Sequence, residues 1–149
     1  MRTKLTALVV SLLALSACAT YVPRADGAPG APAARAAVES FLQEVSNKDY
    51  VQMGWLFGTT EGSIVERDPI SDVERRMYAI ANVLTHTSYT IGDQLKVPGR
   101  IGEAIRFDVH LMRGERDYLV PFTVVQGPER RWFVEQIDLA AVTDSMGDD

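Results

Sequence analysis

Two spacings of apolar residues divide this chain, and the point where one gives way to the other limits the fold more than any other feature. Up to Leu84 the large apolar residues recur every third or fourth position; from Tyr89 onward they recur at every second. A helix repeats its faces every 3.6 residues and a strand every two. The order is therefore helices first and strands afterwards. Elements segregated in this way predict an α+β domain with helices packed on one face of an antiparallel sheet.

The helical part reads in three pieces. Ala34, Ala37, Val38, Phe41, Leu42 and Val45 line one face of a helix over Ala33–Ser46. Asp49 is placed to cap a short second helix, Tyr50–Phe57, which Gly58 stops. A loop from Gly58 to Ile70 follows, with a short strand at Ser63–Val65. Ser71-Asp72-Val73-Glu74 matches a capping box and opens a third helix to Leu84. Val73, Met77, Ile80, Ala81 and Leu84 form its buried stripe.

The second part reads as four strands. Tyr89, Ile91, Leu95 and Val97 alternate, with Asp93 among them, and Pro98-Gly99 turns the chain. Ile105, Phe107, Val109 and Leu111 alternate against Arg106, Asp108 and His110; Gly114-Glu115 closes a hairpin. Tyr118, Val120, Phe122 and Val124 make the next strand. Trp132, Val134 and Ile137 make the last, and their change of spacing from two to three predicts a bulge near Glu135-Gln136.

Composition narrows the class. The chain has 149 residues, 46% apolar and 23% charged, which fits one globular domain and excludes a disordered or collagenous chain. Cys18 is the one cysteine, so no intrachain disulfide can form. A net charge of −5 makes nucleic acid and anionic headgroups poor principal partners.

The first residues read as a leader. Arg2 and Lys4 precede an apolar run from Leu5 to Leu15, which is shorter than the roughly 20 residues that span a bilayer. Leu15-Ser16-Ala17-Cys18 then resembles the lipobox of bacterial lipoproteins: an aliphatic residue, two small residues, a cysteine. The resemblance implies a diacylglyceryl thioether on Cys18, removal of residues 1–17, and acylation of the new amino group, with palmitate among the usual chains. Two or three acyl chains hold a protein stably where one alone is marginal. Ala17-Cys18-Ala19 also fits an ordinary A-x-A cleavage site, which would release a soluble protein. Ala19, where an aspartate retains such proteins at the inner membrane, implies the outer membrane in an organism with two. Residues 18–32, rich in Pro, Gly and Ala, read as a tether.

The domain is expected over 33–140, with an acidic, frayed tail at 141–149. Three N-terminal helices on a curved four-stranded sheet, ending in Trp132-x-Val134-x-x-Ile137, resemble the cone of nuclear transport factor 2 and ketosteroid isomerase. The Leu56-Phe57-Gly58-Thr59 stretch and Gly62 also resemble a group of bacterial lipoproteins of this fold, a resemblance that carries no activity with it.

No metal-binding, nucleotide-binding or nucleophile motif is present, and no cofactor or metal is expected. His86 falls at a helix end and His110 on a polar strand face. Strict alternation puts Asp93 on the face of Ile91 and Leu95, toward the interior, where an apolar cavity would keep a carboxyl neutral and able to shuttle protons. The resemblance implies such a role in related cones. A bulge at Gly92 would instead turn Asp93 outward. Tyr50 and Tyr89 are candidates to offer phenol donors to a ligand. The leading expectation is a membrane-anchored, non-enzymatic domain that binds an envelope protein, itself or a small apolar ligand. The alternatives are an isomerase or hydrolase using Asp93, and a purely structural envelope component.

Overall fold

The computed structural model describes residues 27–144. The expected leader, Cys18 and the tether through residue 26 lie outside the described residues, as do residues 145–149 of the tail.

Helix α1 (Ala34–Asn47) buries the expected stripe: Ala37, Val38, Phe41 and Leu42 are fully enclosed. Lys48, in a left-handed conformation, ends it. The Asp49 carboxylate accepts the Gln52 N–H at 3.0 Å and caps α2 (Tyr50–Leu56). Residues 51–56 of α2 are all buried, because α1, α3 (Ile70–Val83) and the sheet surround it. Gly54 permits the approach of α3, since a Cβ there would lie 2.4 Å from Val73 Cγ1. Between α2 and α3 runs a hairpin, β1 (Gly58–Thr59) and β2 (Gly62–Ser63), then one 3-10 turn at Ile64–Glu66.

The main sheet is an antiparallel meander in the order β3 (Ser88–Lys96), β4 (Ala104–Arg113), β5 (Arg116–Gln126), β6 (Trp132–Ile137). Phe107, Val109 and Leu111 of β4 and Val120, Phe122 and Val124 of β5 meet the helices in one core. The opposite face carries a second, smaller apolar cluster: Ala104, Val125 and Phe133, with Val97 against them. The bulge expected near Glu135 is present. Thr123 pairs with Gln136 and Val124 with Val134, so Glu135 is the extra residue. It reaches Arg100 in the β3–β4 loop with two parallel bonds, and that pairing holds the guanidinium in its charged form, raising its pKa.

Four sequence expectations need correction. Three helices do precede the sheet, but a fourth, α4 (Ala140–Thr143), follows it. Its Val142 is fully buried, so the domain runs past 140 into what was expected to be tail. Ser71 does not cap α3. The cap position falls two residues earlier, at Pro69, with no side-chain cap, because proline presets the helix-entering backbone angle. The capping box falls instead at Ser63–Glu66, where both reciprocal bonds form.

The fourth correction concerns the tether, whose last residues are part of the fold. Gly30 N–H donates to Trp55 at 2.9 Å, and Ala31 and Trp132 exchange two backbone bonds at 2.8 Å. Ala31 is fully buried. Arg131 secures the segment by donating to the carbonyls of Pro29 and Gly30. Short residues suit this strand-like contact because nothing larger than Gly30 fits against the Phe133 ring; a Cβ there would lie 2.8 Å from it. A chain that begins at Ala33 is therefore expected to be less stable by about 2–3 kcal/mol than one that begins at Gly27. It loses three backbone bonds, each worth about 1 kcal/mol net. Equal urea midpoints for the two chains would show that the segment adds nothing.

Candidate functional site

The bulge in β3 decides where the candidate residues lie. Ile91 pairs with Val109, and the next pair is Gln94 with Phe107. Between these pairs one residue of β4, Asp108, faces two of β3, Gly92 and Asp93, so one extra residue is inserted there. Gly92 allows it: a Cβ there would sit 2.9 Å from the Asp108 carbonyl oxygen. The Arg35 guanidinium of α1 reaches across and donates to the carbonyls of Ile91 at 3.1 Å and Gly92 at 2.7 Å. These are carbonyls that the interrupted ladder leaves free.

A one-residue insertion turns every later side chain to the opposite face. Asp93 is consequently exposed, not directed into the core, and the expectation of an interior carboxylate is corrected. Leu95, expected in the core, pairs with Arg106 on the outer face and is 40% exposed. Val97 follows it there and packs against Ala104, Val125 and Phe133. Asp93→Asn is expected to change stability by less than about 0.5 kcal/mol at both acid and neutral pH, as an ordinary surface substitution does. A larger change in the urea midpoint at either pH would contradict this placement.

The other expected residues are not brought together with Asp93. Tyr50 is half-buried at the start of α2, its ring edge-on to Tyr78 at 5.5 Å. Tyr89 is half-buried at the start of β3, edge-on to His86 at 5.4 Å. His110 pairs with Asp117 at 3.0 Å on the outer face. His86 lies just beyond α3. Its Nδ1 lies 2.8 Å from the Leu84 carbonyl oxygen and its Nε2 3.3 Å from Ser46 Oγ. Ser46 Oγ also bonds the Leu42 carbonyl, within α1. The imidazole thereby clasps the C-terminal ends of α1 and α3, where hydrogen-bond donors are favoured. Among the described residues no cluster of three or more His, Cys, Asp or Glu is arranged to hold a metal.

The surface offers a different candidate. The β3–β4 connection, 97–103, makes a recess of about 390 Å³ with the strand ends beside it. Gln94, Leu95, Lys96, Ile101, Gly102, Ala104 and Ile105 line it. Ile101 is 69% exposed, more than Tyr78, Leu119 or Leu95. Lys96 is the one charged side chain in that lining. Such a recess can hold apolar matter with an anionic group beside Lys96. Sequence reading passed over Ile101 because it sits in a turn. The available signal was an isoleucine between Gly99 and Gly102, where turns are ordinarily polar. A second cleft, of about 300 Å³, lies nearby between Pro29, Gly62, Pro128 and Phe133, with Glu61, Glu66, Glu129 and Arg131 at its walls.

No protein-family model matches the chain, and no curated protein matches it. Among solved structures it is similar to a protein named Rd1NTF2_05, in a form carrying five substitutions. The two share 14% identity at a TM-score of 0.44, over 70% of this chain and 93% of that one.

Proposed function

We propose that this chain is an exported lipoprotein, held to a membrane by acyl chains on Cys18, whose NTF2-like domain binds rather than catalyses. The anchor rests on the lipobox residues Leu15-Ser16-Ala17-Cys18 behind a short apolar run. Ala19 favours the outer membrane where there are two. The NTF2-like reading rests on the order of elements, three helices and then a four-stranded meander. The observation that carries the binding role is the recess at the β3–β4 end. Large apolar side chains are left in water there, at a cost of roughly 25 cal/mol for each Å² that contact with a partner would cover. The exposure of Asp93 removes the residue on which an isomerase or hydrolase reading stood.

The anchor is tested by Cys18→Ser. Serine keeps the size of the side chain but not the nucleophilic sulfur that takes up lipid. Essentially complete loss of labelling by a radioactive fatty acid is expected, with the protein moving from the membrane pellet to the soluble fraction. Retention in the pellet after a high-salt wash would refute lipid anchoring.

A further inference from the structure

We propose that the end of the domain bearing the β3–β4 loop docks on the lipid surface itself, with Ile101 and Leu95 entering the headgroup boundary. The proposal rests on the reading of Cys18 as the anchor point, and it names the occupant of the apolar recess.

Sheet register supplies the geometry. Ala31 bridges Trp132, Trp132 pairs with Gln126, and the adjacent Val125 pairs with Ala104. The N-terminal segment, the start of β6, the end of β5 and the start of β4 therefore stand in one row at one end of the sheet. Three strand spacings put Ala31 about 14 Å from that first residue of β4. Ile101 is three residues from Ala104 along the chain, within about 11 Å of it. The point where the chain enters the domain and the exposed apolar loop thus share an end.

The length of chain outside the described residues makes that end the one presented. Gly27 is nine residues from Cys18, a span of at most about 32 Å whatever its conformation. The opposite end of the sheet, at the Gly114 turn, is a full β4 strand away, about 30 Å. Facing that end to the membrane would use nearly the whole span in running back along the domain. The β3–β4 end needs almost none of it.

The chemistry agrees. Removing residues 1–17 takes away Arg2 and Lys4 and leaves 13 basic and 20 acidic residues, a net charge of −7. In so acidic a chain, the recess is lined mainly by apolar groups, with the Gln94 amide and a single charged side chain, the cation Lys96. A lysine beside apolar side chains can bury its stem and keep its ammonium among phosphates. The neighbouring Arg100 is already neutralised by Glu135, so the contact depends on apolar insertion more than on lipid charge.

The test uses the mature chain, starting at Cys18 and coupled through that thiol to maleimide-bearing phosphatidylcholine vesicles. Coupling supplies the anchor chemically, so the outcome does not depend on whether Cys18 is lipidated in the cell. Two variants are compared: Ile101→Trp, at the proposed contact, and Leu119→Trp, 45% exposed and opposite His110 toward the other end of the sheet. After subtracting the signal of Trp55 and Trp132 from the unsubstituted chain, lipids carrying a headgroup-level quencher should reduce the Ile101→Trp emission at least twofold more than that of Leu119→Trp. A blue shift should accompany it. Equal quenching of the two, or quenching of neither, would overturn the proposal. So would a blue shift of Ile101→Trp that appears without vesicles and grows with protein concentration, because a second copy would then cover the recess.

Discussion

Phe41→Ala is expected to lower the stability of the domain by about 3–5 kcal/mol, a large share of what holds it folded. Phe41 is fully buried on α1, at the centre of the contact between the helices and the sheet. Its ring lies 6.1 Å from that of Phe57 and 6.3 Å, edge-on, from that of Phe122. Removing it forfeits the apolar transfer of a whole phenyl ring. It also loses two aromatic contacts worth about 0.5–1.5 kcal/mol each, and leaves a cavity that elements on both sides prevent from closing. A domain of this size has about 5–15 kcal/mol in total. The measurement is the urea midpoint at constant slope, with Leu95→Ala on the exposed face as the comparison. A loss below about 1 kcal/mol for Phe41→Ala would mean that the core around Phe41 is not what holds the fold.

Gly58→Ala is expected to cost about 3 kcal/mol, a large effect for the addition of one methyl group. Gly58 faces Ser63 across the β1–β2 hairpin. A Cβ there would stand 2.1 Å from the Gly62 carbonyl oxygen and 3.0 Å from the Ser63 Cα. These are backbone atoms, so no rotamer change relieves the clash. The strands must part, and that strains what they hold. The buried Ser63 hydroxyl donates to the Gly54 carbonyl at 2.8 Å, Ile64 N–H donates to Phe57 at 3.0 Å, and Phe57 bridges Val134 of β6. Glycine at 58 thus ties the loop between α2 and α3 to both a helix and the sheet. Thermal unfolding of Gly58→Ala is compared with that of Gly99→Ala, in a turn where a Cβ meets nothing within 4 Å. Both positions test the same substitution, but Gly99 has φ of +77, so its own cost is the backbone strain alone. A Gly58→Ala protein no less stable than Gly99→Ala would remove the clash as the reason for the glycine.

The helical stripes and the strand alternation were legible because each is set by a local repeat acting against one large apolar core. The bulge at Glu135 was legible for the same reason: the spacing from Val134 to Ile137 breaks a rule that the preceding residues establish. The bulge at Gly92 was visible only as an alternative. Tyr89, Ile91, Leu95 and Val97 stay in phase across it, so the apolar spacing does not report the slip. The slip is set by partners far along the chain: Asp108, whose carbonyl excludes a side chain at 92, and Arg35, which takes up the freed carbonyls. With it went the interior site expected around Asp93.

By itself, then, the sequence determined the α+β order, the faces of α1 and α3, the Asp49 cap and the core of β4 and β5. Each follows from the repeat of a local conformation or from a side chain bonding its own neighbourhood. Tertiary structure alone decided that Gly30 and Ala31 belong to the domain, that Val142 closes it, and that Leu95 and Ile101 stand in water. Those outcomes depend on how much room Phe133, β5 and the β3 bulge leave, and room between distant segments is a property of the packed chain that no local pattern encodes.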